Sequence, residues 1–137
     1  MPAELSDELK QVLDQPTFVT LVTVQPDGSP QASPVWVKRD GEELLISTTQ
    51  GRRKERNLRR DPRASVVVQP FDDPYRYAEI RGTATVGEPG TAEANALIDE
   101  LSHKYTGRAY GEFNPDAAAD GPRVVVRLTP RKVVGRL

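Results

Sequence analysis

The strongest constraint on this chain is a series of short β-branched runs, none long enough for a helix and each closed by a turn. "TFVTLVTVQ", "QASPVWVK", "ELLISTT", "ASVVVQPF", "YAEIRGTATVG" and "RVVVRL" are rich in Val, Thr and Ile, with Gly, Pro and Asp at their borders. The Asp-Gly pairs of "PDGSP" and "RDGE" supply the positive φ that tight reversals need. In "YAEIRGTATVG" Ala78, Ile80, Gly82, Ala84 and Val86 alternate with Tyr77, Glu79, Arg81, Thr83 and Thr85, so one face of that strand is apolar and the other wet. Six short strands with turn signals between them and no regular βα alternation argue against a doubly wound sheet. The pattern predicts a mainly β protein, a six-stranded antiparallel barrel with flanking helices. At 137 residues, positions 1–137 are expected to form one domain.

Two helices have amphipathic spacing. Leu5, Leu9, Val12 and Leu13 predict one over residues 4–14, ending before Pro16; Ala94, Leu97, Ile98, Leu101 and Tyr105 predict another over 91–105, stopped near Gly107. "GRAYGEFNPDAAADGP" reads as a loop, and the last strand as broken at Pro130. "GEPG" lies between a strand and a helix without the spacing of a dinucleotide-binding turn.

Charge is the second informative feature. Arg52 to Arg63 hold seven of the nineteen basic residues in a chain with twenty acidic ones. If Arg52 to Arg60 wind into a helix, Leu58 is its only large apolar anchor, so burial stabilises it little and a bound anion would stabilise it more. "TTQGR" at its start offers hydroxyls and a close backbone approach. A solvated charged face is an equal reading on composition alone, but the position after a strand end favours a binding site. RNA contact has the charge but no aromatic residue between Trp36 and Phe71 for stacking, so no nucleic-acid partner is expected. With no cysteine and a single histidine, His103, neither a metal site nor a Ser-His-Asp triad is expected, and His103 reads as structural. No run reaches the roughly 20 apolar residues of a membrane span, and a cytoplasmic protein is expected.

"FVTLVTVQPDGSPQASPVWV", "LLISTTQGRRKERNLRRDPRASVVV", "YAEIRGTATV" and "LSHKYTG" together resemble the split-barrel flavin/deazaflavin oxidoreductase superfamily, the pyridoxamine 5'-phosphate oxidase-like proteins. The run "KERNLRRDPR" is most similar to the actinobacterial reductases that use coenzyme F-420. The resemblance implies an FMN-binding split barrel acting as a homodimer with cofactor sites at the interface. It implies hydride transfer from reduced F-420 to an activated double bond of a small enone, quinone or tetrapyrrole acceptor. An FMN-dependent oxidase or reductase, or a non-catalytic flavin- or deazaflavin-binding protein, is the alternative. Carried onto this sequence, Arg52 and Lys54 hold the cofactor phosphate with Arg56 and Asn57 nearby. Pro34, Val35, Trp36, Ser47, Thr48 and Thr49 line the ring, and Tyr75, Tyr77 and Glu79 reach in from the other subunit. Arg59, Arg60 and Arg63 stay open between the acidic tail of F-420 and solvent. A proton would come from water or from Tyr75, Tyr77 or Tyr110.

Overall fold

The computed structural model describes residues 3–137. Its strands are β1 (Val19–Val24), β2 (Pro30–Val35), β3 (Lys38–Asp40), β4 (Glu43–Thr49), β5 (Arg63–Val68), β6 (Ala78–Val86) and β7 (Arg123–Gly135). They form one antiparallel sheet in the order β2-β1-β5-β6-β7-β4-β3. The sheet curls on itself: Val35 from one edge and Leu44 and Ile46 from near the other share a single buried cluster with Leu21, Val66, Ile80 and Leu128. The result is a split half-barrel filled by alternate residues of each strand.

Seven strands replace the six expected, because the second predicted strand divides at Trp36 and Val37. The Val37 N–H donates to Tyr105 Oη at 3.1 Å and its carbonyl accepts from Lys104 Nζ at 2.7 Å. With both ladder groups of Val37 taken by side chains of a helix, the strand cannot continue through it. A second difference concerns Pro130, where no break occurs. β7 runs on for 13 residues, and the missing proline donor is absorbed by a register shift opposite Arg81 and Gly82. There the backbones come so close that a Cβ on Gly82 would lie 2.2 Å from the Thr129 carbonyl oxygen.

Helix α1 (Asp7–Asp14) begins three residues later than the pattern predicts, because Ser6 caps it by accepting from the Leu9 N–H at 3.0 Å. Its Leu9 and Leu13 are buried in the barrel core. Helix α3 (Ala92–Thr106) is capped by Thr91 and ends at Gly107 in the left-handed conformation. It packs Leu97 and Leu101 against Leu45 and Val125, on the outer face of β4 and β7. The segment read as a loop contains a short helix α4 (Tyr110–Phe113) and a 3-10 turn at Ala117–Asp120. No helix among the described residues is long and apolar enough to cross a membrane.

The basic stretch does wind, as α2 (Arg53–Arg60), and Leu58 anchors it in the core. That burial stabilises the helix by roughly 2 kcal/mol. Its N-cap, Arg52, makes no side-chain capping bond. Instead Glu55 turns inward, accepts from the Gly51 N–H at 3.0 Å, and pairs with Arg59 one turn on. Burial works to raise the Glu55 pKa, but Arg59, the Gly51 N–H and Arg56 outweigh it and hold the carboxyl below the usual glutamate value of 4.5.

Two stability measurements follow from these contacts. Gly82→Ala should lower the urea unfolding free energy by on the order of 2–3 kcal/mol, whereas Gly111→Ala, where a Cβ would meet nothing within 4 Å, should cost nothing. Glu55 has a folded pKa below its unfolded one, so its stabilisation is complete above that unfolded value and is lost as pH falls through the folded value. Glu55→Gln should therefore be less stable than the parent at neutral pH and lose less further stability on acidification, as measured by urea unfolding across the acid range.

Candidate functional site

The last three residues of β4 set the site. Thr48 pairs with Val124 and Thr49 with Arg123, so the strand end lies flush against β7. Thr48 and Thr49 are buried, and Ser47 Oγ, Thr48 Oγ1 and Thr49 Oγ1 are the buried side-chain oxygens without a hydrogen-bond partner among the described residues. Each such group costs about 1–3 kcal/mol, and chance does not place three in succession at one strand end.

Ser47 and Thr48 border a cleft of about 240 Å³. Pro34, Val35 and Trp36 form one wall at the end of β2, Ser47 and Thr48 the floor, and Arg52 and Lys54 the rim at the start of α2. Trp36 stacks on Tyr105 with ring centroids 5.3 Å apart and planes at 12°, and Phe113 of α4 closes on Trp36 at 5.4 Å. Tyr105 is locked by donating to the Thr17 carbonyl at 2.6 Å. The cleft is thus apolar and aromatic on one side, hydroxylic at its base and cationic at its mouth.

The electrostatics are one-sided. Lys54 is half-buried, and its Nζ donates to Ser33 Oγ at 3.0 Å. Burial lowers its pKa, and the charges of Arg52 and Arg123 lower it further. No carboxylate lines the cleft. An anion arriving there would reverse the depression of Lys54 and satisfy cations that make no ion pair among the described residues.

The structure thus brings seven of the predicted residues to one cleft: Pro34, Val35, Trp36, Ser47, Thr48, Arg52 and Lys54. Thr49, the last residue of β4, is buried and does not line the cleft. Arg56 is exposed on α2 and does not line the cleft, and Asn57 is enclosed, donating to Thr23 Oγ1 at 3.0 Å, so it ties α2 to β1. Tyr75 and Tyr77 are 83% and 47% exposed, Glu79 pairs with Arg81, and none of the three lines this cleft. Arg59 bonds Glu55 and the Gly87 carbonyl, Arg60 the Val24 carbonyl, and Arg63 Asp61, so these three are spent within the fold. His103 is exposed and lies 3.6 Å from Asp99.

Sequence reasoning missed Phe18, Ile98, Leu101, Phe113 and Arg123 as cleft residues. Phe113 sits in a stretch read as loop. Arg123 becomes visible only once β7 is placed in register with β4, which no local pattern specifies.

The chain is similar to an F-420 reductase, at 32% identity over 95% of this chain and 98% of that one with a TM-score of 0.78. It is also similar to a conserved hypothetical protein from Mycobacterium tuberculosis, at 27% identity over 96% and 84% with a TM-score of 0.75. HutZ, the heme storage protein from Vibrio cholerae, shares the fold at 17% identity over 98% and 96% with a TM-score of 0.71. Residues 5–136 match the family described as pyridoxamine 5'-phosphate oxidase. On nearly its whole length, and with the cleft at the end of its split half-barrel, this chain belongs to the pyridoxamine 5'-phosphate oxidase family.

Proposed function

We propose that the protein is an oxidoreductase that binds the deazaflavin coenzyme F-420 in this cleft and passes a hydride to an activated double bond of a small organic acceptor. The observation that carries the reading is the meeting of two partnerless buried hydroxyls, those of Ser47 and Thr48, with Arg52 and Lys54 in a cleft lined by no carboxylate. A planar ligand with polar ring edges and a phosphate satisfies both. The likeness to an F-420 reductase supports deazaflavin over FMN.

When bound, the deazaflavin supplies a hydride at C5. Arg52 and Lys54 hold its phosphate, the guanidinium as a fork and the ammonium as a point charge. Ser47 and Thr48 would bond the polar edge of the ring, while Pro34, Val35 and Trp36 would support its face. Phe113 and Trp36 keep water from the apolar side of the cleft. The proton that completes reduction comes from water or from a tyrosine, and Tyr110 is the tyrosine that lines this cleft.

Tyr75, Tyr77 and Glu79 would serve a cleft only in a second copy of the chain. Exposed Phe71, Tyr75 and Tyr77 support a homodimer, in which that apolar surface is covered. Arg56 belongs to the same proposal only through the acidic tail of F-420, and Asn57 only through the placement of α2.

Trp36 is the single tryptophan, so its fluorescence reports directly on the cleft. Titration with F-420 should quench it saturably. Tighter binding of FMN would move the reading to a flavin enzyme, and no response to either would overturn it. Arg52→Ala and Lys54→Ala should each weaken F-420 binding by about 10-fold or more with the melting temperature almost unchanged, because neither side chain supports the core. Since anion binding raises the depressed Lys54 pKa, affinity should fall as pH rises through the free protein's Lys54 value, below the ordinary 10.5. The Lys54→Ala variant should lose that dependence.

A further inference from the structure

A third cation faces the cleft, and it is held differently from the other two. Arg123 opens β7 opposite Thr49 and lies close enough to Lys54 for its charge to act on the lysine. Its Nη2 donates to Tyr110 Oη, and its guanidinium carbon sits 4.9 Å from the centroid of the Tyr110 ring. Tyr110 is fixed in turn. Its Oη accepts from Asn114 Nδ2 at 3.2 Å, and its N–H donates to Asp99 Oδ1 at 2.8 Å, which ties α4 to α3. A guanidinium carries five N–H donors, so the bond to one phenol leaves most of them for a ligand. Arg123 makes no ion pair among the described residues, although Arg127 on the same strand pairs with Asp40 and Glu43.

We propose that Arg123 is a third ligand for the phosphate of the bound cofactor and that Tyr110 is the residue that positions it. The proposal rests on the reading that this cleft takes a phosphorylated flavin or deazaflavin. A free arginine gives up rotamer entropy when it is immobilised. Arg123 has already given up much of this on folding, because the Tyr110 ring and hydroxyl hold its side chain over the cleft, so less remains to be lost when the anion binds. The segment carrying α4 thereby has a binding role besides walling the cleft: it sets the cation that faces Arg52 and Lys54 across the mouth.

The test compares ligands with and without phosphate by quenching of Trp36: FMN against riboflavin, which differ in the phosphate alone, and F-420 against the ribityl deazaflavin that lacks its phosphate and acidic tail. Arg123→Gln should weaken the phosphorylated member by about 10- to 100-fold and leave the phosphate-free member unchanged. Tyr110→Phe keeps the ring but removes the oxygen, and should show the same selectivity with a loss of about 3- to 10-fold. The double variant should bind no more weakly than Arg123→Gln alone, since Tyr110 acts through Arg123.

Wild-type affinity in Arg123→Gln would overturn the inference and leave the proposed function standing. Additive losses in the double variant would overturn the positioning role of Tyr110. If wild type binds none of the four ligands, the proposed function falls and inorganic pyrophosphate becomes the probe. A thermal stabilisation by pyrophosphate that disappears in Arg123→Gln then upholds the anion site, while its persistence, or its absence in wild type, overturns it. Should Arg123→Gln fail to fold, Arg123→Lys, which keeps the charge without the fork, should give an affinity below wild type for the phosphorylated ligands alone; wild-type affinity there would overturn the inference.

Discussion

Val37 is the joint on which the rest of the molecule depends. Its N–H and carbonyl are the groups that would carry β2 onward into a single long strand, and both are taken by Tyr105 and Lys104 of α3. The same Lys104 ammonium donates to the Leu13 carbonyl at 2.6 Å, so one side chain fastens α1, α3 and the strand break together. Burial lowers the lysine's pKa although Asp14 works against the change, and two carbonyls oriented on the ammonium compensate part of its lost hydration. The break leaves Trp36 outside the ladder, where it stacks on the Tyr105 ring. Without that joint the aromatic wall of the cleft would have no reason to exist, and α3 would meet the sheet only through its leucines.

The distribution of charge on α2 shows how stability and binding are separated within eight residues. Glu55, Asn57 and Leu58 face inward and are buried, each with a defined partner or a place in the core. Arg59 and Arg60 bond back onto the protein. What lines the cleft at the start of the helix is Arg52 and Lys54, close to Arg123; burial lowers the Lys54 pKa, and the charges of the two arginines lower it further. Nearby stand hydroxyls that could have been alanine at lower cost in desolvation. Destabilising choices of two kinds, gathered at one strand end while the rest of the core is closed, are the pattern of a site whose energetic balance is restored by a ligand.

How much of this was legible in the sequence follows from the range of each interaction. Alternation within "YAEIRGTATVG" and the Asp-Gly turns are local, so strands and reversals could be read directly. The spacing of Leu97, Ile98 and Leu101 likewise identified α3. "TTQGRRK" was legible as a candidate anion site, the one proposed above, because strand end, glycine and cations are contiguous. The division of "QASPVWVK" was not, because it depends on Lys104 and Tyr105, residues 67 and 68 positions away. Pro130 misled for a related reason: whether a proline ends a strand depends on whether the facing strand can shift, and Gly82 allows it. Arg123 and Phe113 reach the cleft through register and through a short helix with no apolar periodicity, neither of which leaves a local signature.

The position of the cleft follows from the two ends of β4. At its start, Glu42 accepts from the Leu5 N–H at 2.7 Å and pairs with Lys10 at 2.6 Å, so α1 and its leading residues seal that end with satisfied polar groups over a leucine core. Along its middle, Leu44 and Ile46 point into the barrel and Leu45 outward to α3, which fixes the strand's rotation from both sides. A slip of one residue would bury the wrong face of β4 in both contacts at once. The hydroxyls at the far end therefore inherit their positions from two apolar contacts, which share Val35, Trp36 and Leu101 with the cleft wall, and from one sealed terminus. Such a strand can carry unbonded hydroxyls at its tip because nothing about its register relies on them, and the tip is left to be specified by whatever it binds.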